Sequence, residues 1–166
     1  DLKEVYDRES NKVGLRWRLQ TLNRVLGPIG LGDFGFIFAR PEVGKTTFLA
    51  SEFTFLGTQT DKPILWVNNE QRGTAVIPRC YTALFGVTEE EIKQDIEGYN
   101  KMWNEAIGHR FLFVDNPGIS KSRIEALCRK HKPGLIVFDQ LDKVSGFEAE
   151  RYDLLMKAKF QWGREL

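Results

Sequence analysis

The sequence predicts an α/β protein, a mostly parallel sheet with helices on both faces. Three observations carry this reading. Short apolar, β-rich runs occur at residues 34–38, 63–67, 110–114 and 135–139, each about as long as a buried strand. Segments with helical spacing and helix-capping residues separate them, so strand and helix alternate four times. That order means parallel strands joined by right-handed crossovers. The phosphate-loop-like stretch around Gly44 and the acids Glu70, Asp115 and Asp139 all fall just past an apolar run. Ligands in such sheets sit beyond the carboxyl ends of the strands, so these residues are expected along one edge.

The size fits one domain with a real core, at 166 residues. Apolar residues at 42% and charged residues at 28% are ordinary for a soluble globular chain. The net charge of +1 provides no global field for a polyanion, so nucleic-acid binding would need local patches. No run approaches the roughly 18 apolar residues that span a bilayer, and no signal peptide is visible; no membrane association is expected. Cys80 and Cys128, without a Cys-x-x-Cys, read as buried thiols in a reducing compartment. The chain opens on Asp1 without Met and stops at Leu166 inside an apparent helix, which predicts an excised piece.

Residues 1–13 are charged and weakly patterned and read as a linker or tail; residues 14–166 read as the domain. Leu19, Leu22, Val25 and Leu26 fall at helical spacing, and Gly27-Pro28 stops that short helix. After the run Phe34-Gly35-Phe36-Ile37-Phe38, a helix is expected from about Lys45 to Gly57. The strand at 63–67 leads to a helix ending at Leu84-Phe85, with Pro78 in its first turn or kinking it. Thr88 and Glu91 form a capping-box signature. The helix they start carries Ile92, Ile96, Tyr99, Trp103 and Ile107 in one core or interface stripe and ends at Gly108. Ser120 caps a helix with Ile124, Leu127 and Cys128 on one face. A final helix is expected from about Phe147, with Leu155, Ala158 and Trp162 inward.

Strand, tight loop and helix around Ala39-Arg40-Pro41-Glu42-Val43-Gly44-Lys45-Thr46-Thr47 make the context of a phosphate-binding loop. Backbone N–H groups of the loop and of the helix start converge on an anion, with the helix dipole behind them. Gly44 lets the backbone approach a phosphate. Lys45 suits the β- and γ-phosphates of a nucleotide, and the Thr46 hydroxyl suits Mg²⁺. Ala39 stands where the general G-x-x-x-x-G-K-[ST] pattern has its first Gly. Asp139, ending an apolar strand, suits a second Mg²⁺-holding group. Glu70, at the end of the preceding strand, suits the base that activates a water against the γ-phosphate. Their blander alternatives are an Asp satisfying loop N–H groups and a Glu favoured by a helix dipole. His109 and His131 show no metal spacing and read as surface or strand-edge residues. Trp17, between two arginines, suits stacking on a base or a neighbour.

At these residues the sequence resembles the RecA-like P-loop core of DnaB-type replicative hexameric helicases. Ala39 to Thr47 is similar to that family's Ala-Arg-Pro-x-x-Gly-Lys-Thr loop, including the alanine. Residues 63–70 resemble the strand ending in its glutamate, with Arg79 where the next helix often carries an arginine. Val114-Asp115-Asn116-Pro117-Gly118 resembles its Asp-x-Pro-Gly segment, and residues 134–139 resemble its acidic strand. Asn68-Asn69-Glu70-Gln71 replaces the family's Ser-Leu-Glu-Met, and Gln140-Leu141-Asp142 its Tyr-Leu-Gln, which suits a divergent phage or plasmid version.

The resemblance implies an ATP- and Mg²⁺-dependent DNA helicase motor, incomplete at its C-terminus, in a bacterial or phage-infected cytoplasm. It implies ATP at a subunit boundary of a homo-oligomeric, hexameric ring, with an arginine supplied in trans. Single-stranded DNA would pass through the ring, with Lys143 and Ser145 the nearest contact candidates, and primase or a loader would be a further partner. The alternatives are a RecA or RadA-like recombinase, or other non-unwinding ATPase, and a small-molecule or nucleotide kinase using the same loop.

Overall fold

Strand β1 (Ile64–Asn68) is buried at every position, because both of its faces meet a hydrophobic layer. The computed structural model describes residues 2–3, 13–40, 42–69 and 73–166. β1 lies between β2 (Phe111–Asp115) and β3 (Leu135–Asp139), in the order β2-β1-β3, with both pairings parallel. The register aligns Asn68 with both Asp115 and Asp139, so all three strands end at one level.

Period-two alternation splits the strands between two cores. Ile64 and Trp66, with Phe111, Phe113, Leu135 and Val137, face helix α2 (Lys45–Gly57), to be distinguished from α1 (Gln20–Val25), and helix α3 (Gly73–Phe85). Leu65 and Val67, with Leu112, Val114, Ile136 and Phe138, face helix α6 (Lys121–His131) and helix α7 (Tyr152–Glu165). Helices α4 (Glu89–Gln94) and α5 (Ile96–Ala106) complete the chain between α3 and β2. This is the expected α/β architecture, a parallel sheet flanked by helices.

Three expectations need correction. Residues 34–38 form no strand: among the described residues they make no ladder hydrogen bonds, and the sheet has three strands rather than four. An apolar run states a preference for extended chain, whereas a strand needs a hydrogen-bonding neighbour. The run is held by its side chains. Phe34 packs on Phe36 at 4.8 Å between ring centroids, Phe36 on Phe38 at 5.6 Å, and Phe36 on Phe160 of α7 at 4.5 Å.

The single helix expected after Thr88 is two. Thr88 and Glu91 do form a full capping box, but the chain breaks at Asp95 (φ −143°, ψ 64°). The Asp95 carboxylate accepts from Gly98 N at 2.9 Å and so caps α5. A Cβ on residue 98 would stand 2.1 Å from Asp95 Oδ2, so the glycine permits the cap. Ile96 is consequently exposed, while Ile107 is buried. The short helix expected near residues 19–26 is present as α1, and it buries none of its residues. The last helix starts at Tyr152, not near Phe147, and the Phe147 ring instead packs on Trp162 at 5.3 Å.

The segment before the phosphate-loop region is strapped to α2. Glu52, fully buried, accepts from the backbone N–H groups of Arg18 at 2.7 Å and Leu19 at 3.4 Å. Arg16 and Gln59 exchange two hydrogen bonds of 2.8 Å, and the Arg18 guanidinium lies 5.0 Å over the Phe55 ring. Trp17 donates from its indole nitrogen to Gly27 O at 3.1 Å, closing the loop that the Leu15–Ile29 bridge begins. Most of residues 1–13, expected to be a linker or tail, lie outside the described residues.

Both cysteines are free thiols, Cys80 buried in the first core and Cys128 half-buried. Burial pushes the Cys80 thiol up to about 12 and raises that of Cys128 less. The thiolate is the reactive form. Native protein at pH 8 should therefore react with a thiol reagent slowly at Cys128 and not at Cys80, which should label only in denaturant. Equal labelling of both thiols in native protein would contradict this packing. Because the unfolded Cys80 loses its proton before the folded one does, its contribution to stability is complete below pH 9 and fades as pH rises toward 12.

Candidate nucleotide site

The carboxyl edge of the sheet and the start of α2 meet at three side chains. Gly44 precedes α2 at φ +95°, a left-handed conformation that a residue with a Cβ adopts only under strain. No atom lies within 4 Å of where a Cβ would stand there, so the backbone angle and not crowding calls for glycine. Glu42 also has positive φ, at 63°, and tightens the turn. No side chain caps the α2 N-terminus, which leaves its first N–H groups for an anion.

Asp139 is the buried centre of the cluster, at 0% exposure. Thr46, itself buried, donates its hydroxyl proton to Asp139 Oδ2 at 3.0 Å. Lys45 Nζ stands 3.0 Å from Asp139 Oδ1 as an ion pair, with the ammonium side chain 22% exposed. That contact lacks hydrogen-bond alignment, and Oδ1 accepts no hydrogen bond among the described residues. A buried carboxylate oxygen with capacity to spare beside a threonine hydroxyl is a hard-oxygen donor set, which fits Mg²⁺. No group of three or more His, Cys, Asp or Glu able to hold a metal occurs among the described residues. The set would thus be completed by phosphate oxygens and water, as is usual for this ion.

The other expected residues fall as follows. Ala39, Arg40, Glu42, Val43, Gly44 and Thr47 are exposed on the loop and helix start. Pro41 and Glu70 lie outside the described residues. Lys143 is exposed at the end of the 3₁₀ turn Leu141–Lys143. The Ser145 hydroxyl donates to Gly118 O at 2.9 Å, and its backbone pairs with Ser120, so it ties this loop to the turn after β2.

Two features were not anticipated from sequence. Asn69 is buried, its N–H donating to Asp139 O at 3.3 Å and its amide to Gln140 O at 3.2 Å. Gln140, next to Asp139, sits at φ +75°, and such strain in a non-glycine residue is concentrated at functional sites. Consecutive asparagines ending an apolar strand were the available signal.

Comparison with known proteins gives this edge a family context. The profile of the DnaB-like helicase C terminal domain matches residues 14–156. The chain belongs to that family. This DnaB-like domain is 23% identical over 156 residues to Replicative DNA helicase DnaC of Bacillus subtilis (strain 168), covering 88% of the chain and 34% of the relative. It is 24% identical over 156 residues to Replicative DNA helicase DnaB of Geobacillus stearothermophilus, again 88% and 34%. The chain thus spans about a third of the length of these curated relatives. Its fold matches a solved structure of a DnaB-like replicative helicase and its interactions with primase, with a TM-score of 0.75 at 21% identity over 99% of this chain and 44% of that one. Among the described residues, no helix is long and apolar enough to cross a membrane.

Removing the buried centre should cost more than removing its edge. Asp139→Ala would remove the carboxylate paired with partly buried Lys45 and the acceptor of the Thr46 hydroxyl. Urea titration should then show a loss of about 3 kcal/mol, the lower end for broken buried pairs because Lys45 is partly solvated. Thr47→Ala, on the exposed side of the same turn, should fall within about 0.5 kcal/mol of the parent.

Proposed function

We propose that the chain is the ATP-hydrolysing part of a DNA helicase motor. The observation that carries this is the convergence of Lys45, Thr46 and buried Asp139 at the uncapped N-terminus of α2. Loop and helix N–H groups would bind the triphosphate, and Lys45 would exchange Asp139 for β- and γ-phosphate oxygens, its charge remaining neutralised throughout. Thr46 and Asp139 would hold Mg²⁺, which when bound neutralises charge developing on the phosphates. Glu70 would accept a proton from the attacking water. Lys45 and Thr46 open α2, and Asp139 ends β3, 93 residues beyond Thr46 along the chain.

Hydrolysis would be coupled to movement along single-stranded DNA and to duplex unwinding in replication. Such contacts follow phosphates and not bases, so binding should weaken steeply with salt and show little sequence preference. Exposed Lys143 is one candidate phosphate contact, and Ser145 lies in the same loop. A homo-oligomeric ring, hexameric when whole, would let a neighbour supply an arginine; that device is worth about 10³–10⁵ in rate in GTPases. Primase, or a loader, would be the further partner, in a bacterial or phage-infected cytoplasm. The family match favours the helicase over the recombinase reading.

The test uses the full-length protein with single-stranded DNA. Lys45→Ala should abolish nucleotide binding or turnover; unchanged turnover would remove the site. Glu70→Gln should bind nucleotide normally and lose turnover by about 10²–10⁴-fold, the range for a general base. Strand separation without strand exchange distinguishes a helicase from a recombinase.

A further inference from the structure

The chain leaves β3 at Asp139 and soon reaches Ser145, whose N–H donates to Ile119 O at 3.0 Å and whose carbonyl accepts from Lys121 N–H at 2.9 Å. Both partners follow β2, which lies on the far side of β1. The loop therefore has to turn at once and cross the end of β1. It turns at Gln140, with φ +75° and ψ +80°, and enters the 3₁₀ turn Leu141–Lys143. A residue with a Cβ holds such a conformation only where its surroundings impose it. Asn69, the residue after β1, supplies that imposition. Its N–H donates to Asp139 O at 3.3 Å and its side-chain amide to Gln140 O at 3.2 Å. Those carbonyls belong to the two peptide units that flank the Gln140 Cα, so one residue fixes both of its backbone angles. We propose that Asn69 is a positioning residue for Asp139, which holds the left-handed turn ending β3 and thereby keeps the Asp139 carboxylate where Mg²⁺ would be bound. This rests on the reading of Asp139 as a Mg²⁺-holding group.

The residue types suit the task. Asn69 is 3% exposed, so water does not compete for its amide protons. A leucine would fill similar space and donate nothing, and an aspartate would set a carboxylate against the Gln140 carbonyl. Lys143 N–H also donates to Gln140 O at 3.2 Å, which closes the 3₁₀ turn and uses the second lone pair of that oxygen. Leu141, buried in the second core, anchors the chain directly after the turn. The Gln140 side chain makes no cap hydrogen bond of its own, so the conformation is held from outside the residue. On the site side, the Asp139 carboxylate is fully buried against Thr46 and Lys45. It has no solvent-facing rotamer with which to compensate, so a shift of the strand end moves its oxygens relative to both. Partners that orient a metal-holding group are worth about 10–100-fold in metal affinity.

A residue that served stability alone would, when lost, lower the melting temperature and leave the Mg²⁺ requirement unchanged. In the full-length protein, a fluorescent non-hydrolysable ATP analogue reports the Mg²⁺ concentration for half-maximal binding, and its Kd in EDTA reports a folded phosphate loop. Asn69→Leu should raise that Mg²⁺ concentration by about 10–100-fold and change the Kd in EDTA by less than about threefold. A glycine adopts the left-handed turn without imposed bonds. Gln140→Gly should therefore stay within about threefold of the parent, and in the Asn69→Leu background it should restore the Mg²⁺ requirement to within about threefold. The inference is overturned if Asn69→Leu keeps the parent's Mg²⁺ requirement, or if Gln140→Gly fails to recover the loss. Should Asn69→Leu not bind the analogue in EDTA, Gln140→Val carries the test, because a β-branched residue resists the same turn with Asn69 intact. A raised Mg²⁺ requirement in Gln140→Val then supports the inference, and an unchanged one overturns it. An Asp139→Asn variant with the parent's Mg²⁺ requirement would instead overturn the reading of Asp139, an outcome recognisable without any Asn69 variant.

Discussion

The contact between buried Thr46 and buried Asp139 joins the start of α2 to the end of β3, and the candidate site is built on that contact. A carboxylate at 0% exposure is expensive to bury unless hydroxyl or cationic partners compensate it. Thr46 and Lys45 provide that compensation together, since they are consecutive residues on the first turn of one helix. The same geometry makes the arrangement responsive. On the proposed reading, Lys45 and Thr46 would compensate Asp139 until phosphate and a divalent cation offered them stronger partners. The structural charge pair and the proposed nucleotide site would thus be one set of atoms.

The edge is rigid because β1 is anchored on both faces. Trp66 fills the first core at 5.9 Å from the Phe111 ring and 6.0 Å from Phe113, with Phe53 of α2 at 6.4 Å. Leu65 and Val67 fill the second core against α6 and α7. The five-residue strand is buried at all positions and cannot slip register without moving both layers. Its end is then elaborated with polar side chains: Asn68 reaches Asp115 on one neighbour, and Asn69 reaches Gln140 on the other. Hydrophobic packing sets the height of the edge, and amide and carboxylate hydrogen bonds set what lies along it.

The loop after β3 is held with similar economy. Ser145 donates to Gly118 O, accepts Lys121 N–H at its carbonyl at 2.9 Å, and so pairs the segment following Asp139 with the turn following β2. Lys159, buried on α7, donates to Asp142 O, and burial holds its ammonium below the usual lysine range while Asp142 opposes that shift. Both flanks of the edge are therefore attached to the second core. The candidate DNA loop and the candidate nucleotide site consequently share a scaffold.

Elements defined by local periodicity were legible from the chain. Leu135 to Asp139 reads as a strand ending in an acid because five residues alternate between two apolar layers. Lys45 to Gly57 reads as a helix because left-handed Gly44 starts it at a Gly-Lys-Thr sequence. What periodicity could not supply was partnership. The run at 34–38 has the composition of a strand but no hydrogen-bonding neighbour, and the stripe from Ile92 to Ile107 is broken by an Asp95 cap that a helical pattern alone does not show. Glu52, a charged residue in a largely apolar helix, is buried because it accepts from the backbone N–H groups of residues 18 and 19, a partnership that no local pattern shows. The sequence by itself determined the alternation of strands and helices and the residue types at each strand end, since these follow from local sterics and side-chain polarity. Only the tertiary structure decided that Asp139 meets Thr46 and that Asp115 grips Asn68 and Gly73, because those distances depend on strand order and register between segments more than forty residues apart.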